Sequence, residues 1–181
     1  MKMMKKTLVA GLCAAMAGIA SAGSLSYDHV EAGFVSLDNG DENGVFFGAM
    51  RKLTPDVFAE FQLDYSDFTK ATAGIGYELF KGNGVSVDLH GGLEYFDFEH
   101  GWGSQSESGA FLGLRARKAI GNGSEFSVWL DTGTADFFKG SELGLRTDFS
   151  ITAQLKGVIS YEIGFNDRDY DTFRLGVRYQ F

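Results

Sequence analysis

Along most of this chain every second residue is apolar, a pattern that fits strands whose two faces meet different surroundings. Val57, Ala59, Phe61, Leu63 and Tyr65 alternate with Phe58, Glu60, Gln62 and Asp64. Val85, Val87, Leu89, Gly91, Leu93 and Tyr95 alternate with Ser86, Asp88, His90, Gly92 and Glu94. Ile151, Ala153, Leu155, Gly157, Ile159, Tyr161, Ile163 and Phe165 form the longest series. A helical 3.6-residue period is found nowhere after the first 22 residues. The pattern predicts ten strands, at 25–37, 44–52, 57–66, 71–80, 84–97, 107–118, 124–134, 141–147, 150–165 and 172–181. Clusters rich in turn formers separate several of them, among them Leu53-Thr54-Pro55-Asp56, Lys81-Gly82-Asn83-Gly84 and Gly121-Asn122-Gly123-Ser124. Connections this short make neighbouring strands antiparallel, so the expectation is one all-β meander and one domain. Segments 126–132 and 143–147 are short, and eight strands is the alternative if they do not both cross.

The amino-terminal segment breaks the pattern. Lys2, Lys5 and Lys6 precede an apolar run at 7–20 and the small residues Ala20-Ser21-Ala22. Basic, then apolar, then small is the order of a secretory signal peptide, and the run is short of the ~20 residues that span a bilayer. Residues 1–22 are therefore read as a cleaved signal and 23–181 as the folded domain. Cys13, the single cysteine, falls inside the signal, so no disulfide framework is expected. The chain carries 24 acidic against 16 basic residues, which excludes general nucleic-acid binding through phosphates.

Alternation leaves open which face is wet. A soluble barrel turns its apolar face inward, whereas a transmembrane barrel turns it to lipid. Three features favour the second arrangement. The polar faces carry Gly74, Gly76, Gly92, Gly113, Gly144, Gly164 and Gly176, which weaken a water-washed strand but make room in a narrow lumen. The apolar faces are nearly free of charge over about 9–11 residues, a bilayer-crossing length. Tyr65, Tyr77, Tyr95, Phe126, Tyr161, Phe165, Tyr179 and Phe181 gather near strand ends, as two interfacial girdles would.

The last strand carries the sharpest signature. It reads Arg174-Leu175-Gly176-Val177-Arg178-Tyr179-Gln180-Phe181, with a polar Arg174, Gly176 two residues on, Tyr179 third from last and a terminal Phe181. This resembles the assembly signal of bacterial outer-membrane barrels. With Tyr27-Asp28-His29-Val30-Glu31-Ala32-Gly33-Phe34 opening the first strand, the chain looks like the small barrels of the OmpA/OmpX type. The resemblance implies insertion by the barrel-assembly machinery, both termini in the periplasm and residence in the cell outer membrane among lipid and lipopolysaccharide, as a monomer. It departs from the best-known members, which have eight strands.

In such a barrel the inward positions bring together Glu31, Glu60, Asp64, Glu78, Asp88, Glu94 and Glu162 with Arg51, Arg115, Arg117, Arg146, Lys156, Arg174 and Arg178. Seven acids balance seven bases in a space that side chains nearly fill, so a salt-bridged plug is expected. His90 is expected to hydrogen-bond beside Asp88 and Glu94. A narrow ion path lined by the same groups is the alternative.

The external loops are placed at 38–43, 67–70, 97–106, 135–140 and 166–171. They hold Asp38, Asp41, Glu42, Asp67, Asp97, Glu99, Asp136, Asp167, Asp169 and Asp171. This acidic rim reads first as a solvated face; its functional alternative is Ca²⁺ or Mg²⁺ bridging to lipopolysaccharide. Asp97, Glu99, His100, Ser104 and Ser106 place a base near hydroxyls in one loop, which makes a rim hydrolase a third reading. The sequence offers no cofactor motif. Its leading expectation is a non-enzymatic barrel with a role in envelope integrity or surface interaction.

Overall fold

The computed structural model describes residues 25–37, 42–100, 103–168 and 170–181. Outside them lie residues 1–24, which include the expected signal and Cys13, the tip containing Asp38 and Asp41, residues 101–102, and Asp169. Ten strands follow in order: β1 (His29–Leu37), β2 (Glu42–Lys52), β3 (Val57–Tyr65), β4 (Phe68–Gly82), β5 (Val85–His100), β6 (Gly103–Ala119), β7 (Glu125–Gly133), β8 (Gly140–Ser150), β9 (Leu155–Asn166) and β10 (Asp171–Gln180). Each pairs antiparallel with its chain neighbours, and β10 returns to β1 in a register running from His29↔Gln180 to Leu37↔Thr172, which closes the barrel. The ten-strand expectation holds, and the alternative of eight does not.

An even strand count puts both ends of the fold at one rim. The short turns share it, including the two-residue Asn83–Gly84 hairpin, whose φ values of 53° and 72° are those a type I′ turn requires. At the opposite rim the β5–β6 hairpin rises furthest past its neighbours; in outer-membrane barrels such projections are external and the turns at the other rim periplasmic, which orients the molecule.

Adjacent residues on β5 show which face is wet. Leu93 is 70% exposed on the outer wall, whereas Glu94 beside it is 2% exposed in the lumen. Phe34, Ile75, Leu112, Leu130 and Leu175 share the outer face, and charged groups fill the inside. That inversion suits acyl chains outside, because strands in a closed barrel leave no backbone group unpaired in lipid. The chain is therefore a membrane-spanning barrel of the outer-membrane kind. Tyr65, Tyr95, Tyr161 and Phe165 lie toward the external end of the wall, and Tyr77, Phe126 and Tyr179 toward the periplasmic end, as the strand registers place them. Phe126 is on the outer face but buried by its neighbours.

Glycine makes room for the lumen's large side chains. A Cβ on Gly76 would lie 2.0 Å from the Phe58 ring, and one on Gly144 2.0 Å from the Trp129 ring. The apolar part of the interior is small, with Val35, Leu37 and Phe46 packing near the external end beside Phe68 and Tyr170.

Several segments depart from the expected pattern. Ile151 and Ala153 keep the parity of β9 but lie in a turn, where Thr152 Oγ1 accepts hydrogen bonds from the backbone N–H groups of Gln154 and Leu155 at 3.3 and 3.0 Å. β8 takes up the length instead and runs to Ser150. The segment 97–106 is mostly hairpin, with Asp97↔Ser106, Glu99↔Ser104 and His100↔Gly103 paired. Since β7 ends where Gly133 meets Phe111, the upper part of β6 rises past it by roughly 25 Å along the strand. Cross-strand pairing thus extends through polar residues that carry no apolar alternation.

Candidate functional site

The lumen is organised in three storeys. At the periplasmic mouth Tyr27, just ahead of β1, folds inward and is 2% exposed. Its hydroxyl donates to Asp88 Oδ1 at 2.5 Å, with Ser86 Oγ and Glu78 Oε1 each 3.2 Å away. Lys52 Nζ and the Arg117 guanidinium stand 4.0 and 4.2 Å from the ring centroid, and Phe58 packs at 4.9 Å. Arg117 also donates to the Ser26 carbonyl at 2.7 Å and to both oxygens of Glu125 at 2.6 and 3.0 Å. Burial pushes the Tyr27 phenol above its ordinary pKa; the hydrogen bond to Asp88 adds to this, and Arg117 opposes it.

The waist is a lattice of forked ion pairs. Arg146 reaches both oxygens of Glu31, at 2.9 and 2.5 Å, and Asp148 at 2.6 Å. Arg178 bridges the same two acids, at 3.0 Å to Glu31 and 2.5 Å to Asp148. Across the lumen Arg115 joins Glu60 at 3.0 Å and Asp88 at 3.3 Å. His90 lies between Glu60, 2.6 Å from Nδ1, and Asp131, 2.9 Å from Nε2. A cavity of about 130 Å³ runs among these groups and extends into the other two storeys, lined by Arg117 and Glu125 at one end and by Lys70, Glu142 and Arg168 at the other.

Near the external end Arg174 grips Asp64, at 2.8 and 2.5 Å, and Glu162. Lys70 donates to both oxygens of Glu142 at 2.8 Å. Arg168, from the loop between β9 and β10, reaches inward to Glu94 and Glu142. Above them Phe68, Phe96, Phe138 and Tyr170 form an aromatic lid, with the Phe96 and Phe138 rings stacked at 4.5 Å. Phe138 belongs to a 3₁₀ turn, Asp136–Phe138, between β7 and β8. Burial raises the Tyr170 phenol, with Lys70 opposing. Burial disfavours the Arg168 charge, but Glu142 and Glu94 outweigh it and hold its pKa above the usual value.

The structure sorts the residues expected in the lumen. Glu31, Glu60, Asp64, Glu78, Asp88, Glu94, Arg115, Arg117, Arg146, Glu162, Arg174 and Arg178 come together in these pairs. Lys156 faces inward and is buried near Glu125 and Asp148. Arg51 does not join them. Phe46, Gly48 and Met50 set the inward parity of β2, so Arg51 falls on the outer face and is exposed at its periplasmic end. His90 pairs with Glu60 on β3 and Asp131 on β7, two strands away on either side, instead of Asp88 and Glu94 on its own strand. Lys70, expected in a loop, is on β4 and points inward, as Glu42 does on β2. Asp171 begins β10 and accepts a hydrogen bond from Tyr161 at 2.7 Å.

Glu125, Asp131, Glu142 and Asp148 were missing from the expected set, although strand parity could have found them: they alternate in step with Ser127 and Arg146. Tyr27 and Arg168 sit outside any strand and carried no such signal. Of the proposed rim chemistry, the side chains of Glu99, His100 and Ser104 lie outside the described residues. Among the described residues no group of three or more His, Cys, Asp or Glu could hold a metal ion.

Comparison with known proteins supplies a family. The model described as "Protein of unknown function, DUF481" matches residues 41–176. The chain belongs to DUF481. No curated protein matches this DUF481 chain in sequence. Solved structures match its shape. The KdgM porin superposes with a TM-score of 0.55 at 11% identity, covering 84% of this chain and 99% of that one. The NanC porin gives 0.53 at 10% identity, covering 84% and 100%. An outer membrane channel from Pseudomonas putida F1 gives 0.53 at 13%, covering 87% and 96%. At these identities the likeness is one of fold. This DUF481 protein is a small bacterial outer-membrane β-barrel.

Proposed function

We propose that this barrel is a closed, non-enzymatic component of the outer membrane that serves envelope integrity or surface interaction. One observation carries the reading. The ion-pair lattice crosses the lumen between Tyr27 below and the aromatic lid above, and the cavity left among the pairs is about 130 Å³. Paired charges at hydrogen-bond distance across the lumen support a closed bore. The acidic external loops, with Asp67, Asp136 and Asp167 exposed, would meet lipopolysaccharide through Ca²⁺ or Mg²⁺. Insertion by the barrel-assembly machinery as a monomer, and kinship with the OmpA/OmpX type, rest on the motifs of the first and last strands.

A narrow pore is the second reading. It is favoured because solved porins share the fold and because Tyr27 at one mouth and Phe138, Arg168 and Tyr170 at the other come from segments outside the strands. Recording from the folded barrel in planar bilayers separates the two. The closed reading expects a silent baseline, and reproducible conductance steps overturn it.

A further inference from the structure

Arg168 is a loop residue with 0% exposure, and what surrounds it has the make-up of a receptor. Glu94 and Glu142 bind its guanidinium, the Phe138 carbonyl accepts from Nε at 2.5 Å, and the Phe96 ring faces it at 5.5 Å. Two carboxylates, a carbonyl and an aromatic face are what an organic cation with N–H donors requires.

The receptor does not depend on its occupant. Glu94 Oε1 accepts from the backbone N–H groups of Thr134 and Ala135 at 3.1 and 3.3 Å, which leaves its other oxygen aimed at the cation. Lys70 holds both oxygens of Glu142 at 2.8 Å, one of them the oxygen that Arg168 reaches. The space is cleared as well. A Cβ on Gly133 would stand 1.6 Å from Arg168 Nη2, and one on Gly164 1.5 Å from the Arg168 carbonyl oxygen. Beside Glu142 and Lys70 the Tyr170 hydroxyl is buried without a hydrogen-bond partner among the described residues, an unused polar group for a larger occupant. Outside the mouth, exposed Asp67, Asp136 and Asp167 steer cations toward it.

We propose that the external vestibule is a recognition site for a small organic cation bearing a guanidinium or primary ammonium group, and that Arg168 is its resident stand-in. An external ligand competes with Arg168 for Glu94 and Glu142 when the loop between β9 and β10 withdraws. In the wild type the apparent affinity is reduced by the fraction of time the site is vacant. The site stands whether or not the lumen conducts, because each readout below is of binding.

The test is calorimetric titration of the folded full chain with ethylguanidinium. The Arg168→Gly barrel is expected to bind saturably, at least tenfold tighter than wild type. Adding Glu94→Gln is expected to weaken that binding at least tenfold, and tetramethylammonium, which has no N–H donor, is expected not to bind. No saturable binding by folded Arg168→Gly, or binding indifferent to Glu94→Gln, overturns the proposal. Heat-modifiable gel migration reports whether the variant has folded. If it has not, the wild type decides. Saturating ethylammonium is expected to raise phenylglyoxal labelling of Arg168 at least threefold by peptide mass spectrometry, and unchanged labelling overturns the proposal.

Discussion

The hydroxyl of Tyr27 lies 2.5 Å from Asp88 Oδ1, so a residue ahead of the first strand is tied to the wall of β5 across 61 positions of sequence. The contact fastens the chain's entry segment inside the barrel's lower mouth. Four expectations follow from this and the neighbouring packing.

Tyr27→Ala removes a buried ring along with its hydrogen bond and should cost about 3–5 kcal/mol, the range for large-to-small changes at packed aromatics. Tyr27→Phe keeps the ring and should cost only about 1–3 kcal/mol. Urea unfolding of the two variants in lipid vesicles measures both. Equal losses would mean that packing of the ring contributes nothing.

Alkali should weaken the fold through the same phenol. Its folded pKa is raised, so the stabilisation is complete below the unfolded tyrosine value near 10 and is lost as pH climbs from there toward the folded value. In that window it contributes a slope of about 1.4 kcal/mol per pH unit. Stability curves for wild type and Tyr27→Phe should therefore converge above pH 10. Curves that stay parallel argue against a buried neutral phenol.

Arg174→Met leaves Asp64 and Glu162 facing one another with only Lys70, 3.9 Å from Glu162, as a nearby cation. Stranding buried charge in this way costs about 3–5 kcal/mol. The triple variant Arg174→Met, Asp64→Asn, Glu162→Gln should regain most of it, because pairs replaced whole are often near neutral. Failure of the triple variant to recover would give the residues a role beyond charge balance.

Leu93→Arg places a cation in the middle belt of the outer wall, level with Ala73 and Phe61. It should cost about 2–4 kcal/mol in a bilayer. The same change at the rim residue Tyr65 should cost about 1 kcal/mol or less. A similar cost at both depths would contradict the lipid-facing assignment.

How far the sequence could be read depends on what each residue answers to. Leu93 and Glu94 declared opposite faces because pleating leaves a strand no other choice. The short segments 126–132 and 143–147 proved to be parts of full strands for the same reason. Arg51 was misplaced because β2 is apolar on both parities, and only Phe46 and Gly48 under the curve of the wall fix its direction. Ile151 and Ala153 imitated a strand that Thr152 turns instead. The two closures were the least legible. Tyr27 and Arg168 are placed by partners on distant strands, and no local pattern announces such contacts.

The seam between β1 and β10 joins His29 to Gln180, nearly the length of the chain apart. Until the final strand arrives, both margins of the sheet carry unanswered donors and acceptors that hydrocarbon will not tolerate. Residence in the bilayer is thus granted only to a finished polypeptide. A copy that stops short of β10 keeps two open margins, each a row of groups that only another strand or water can satisfy.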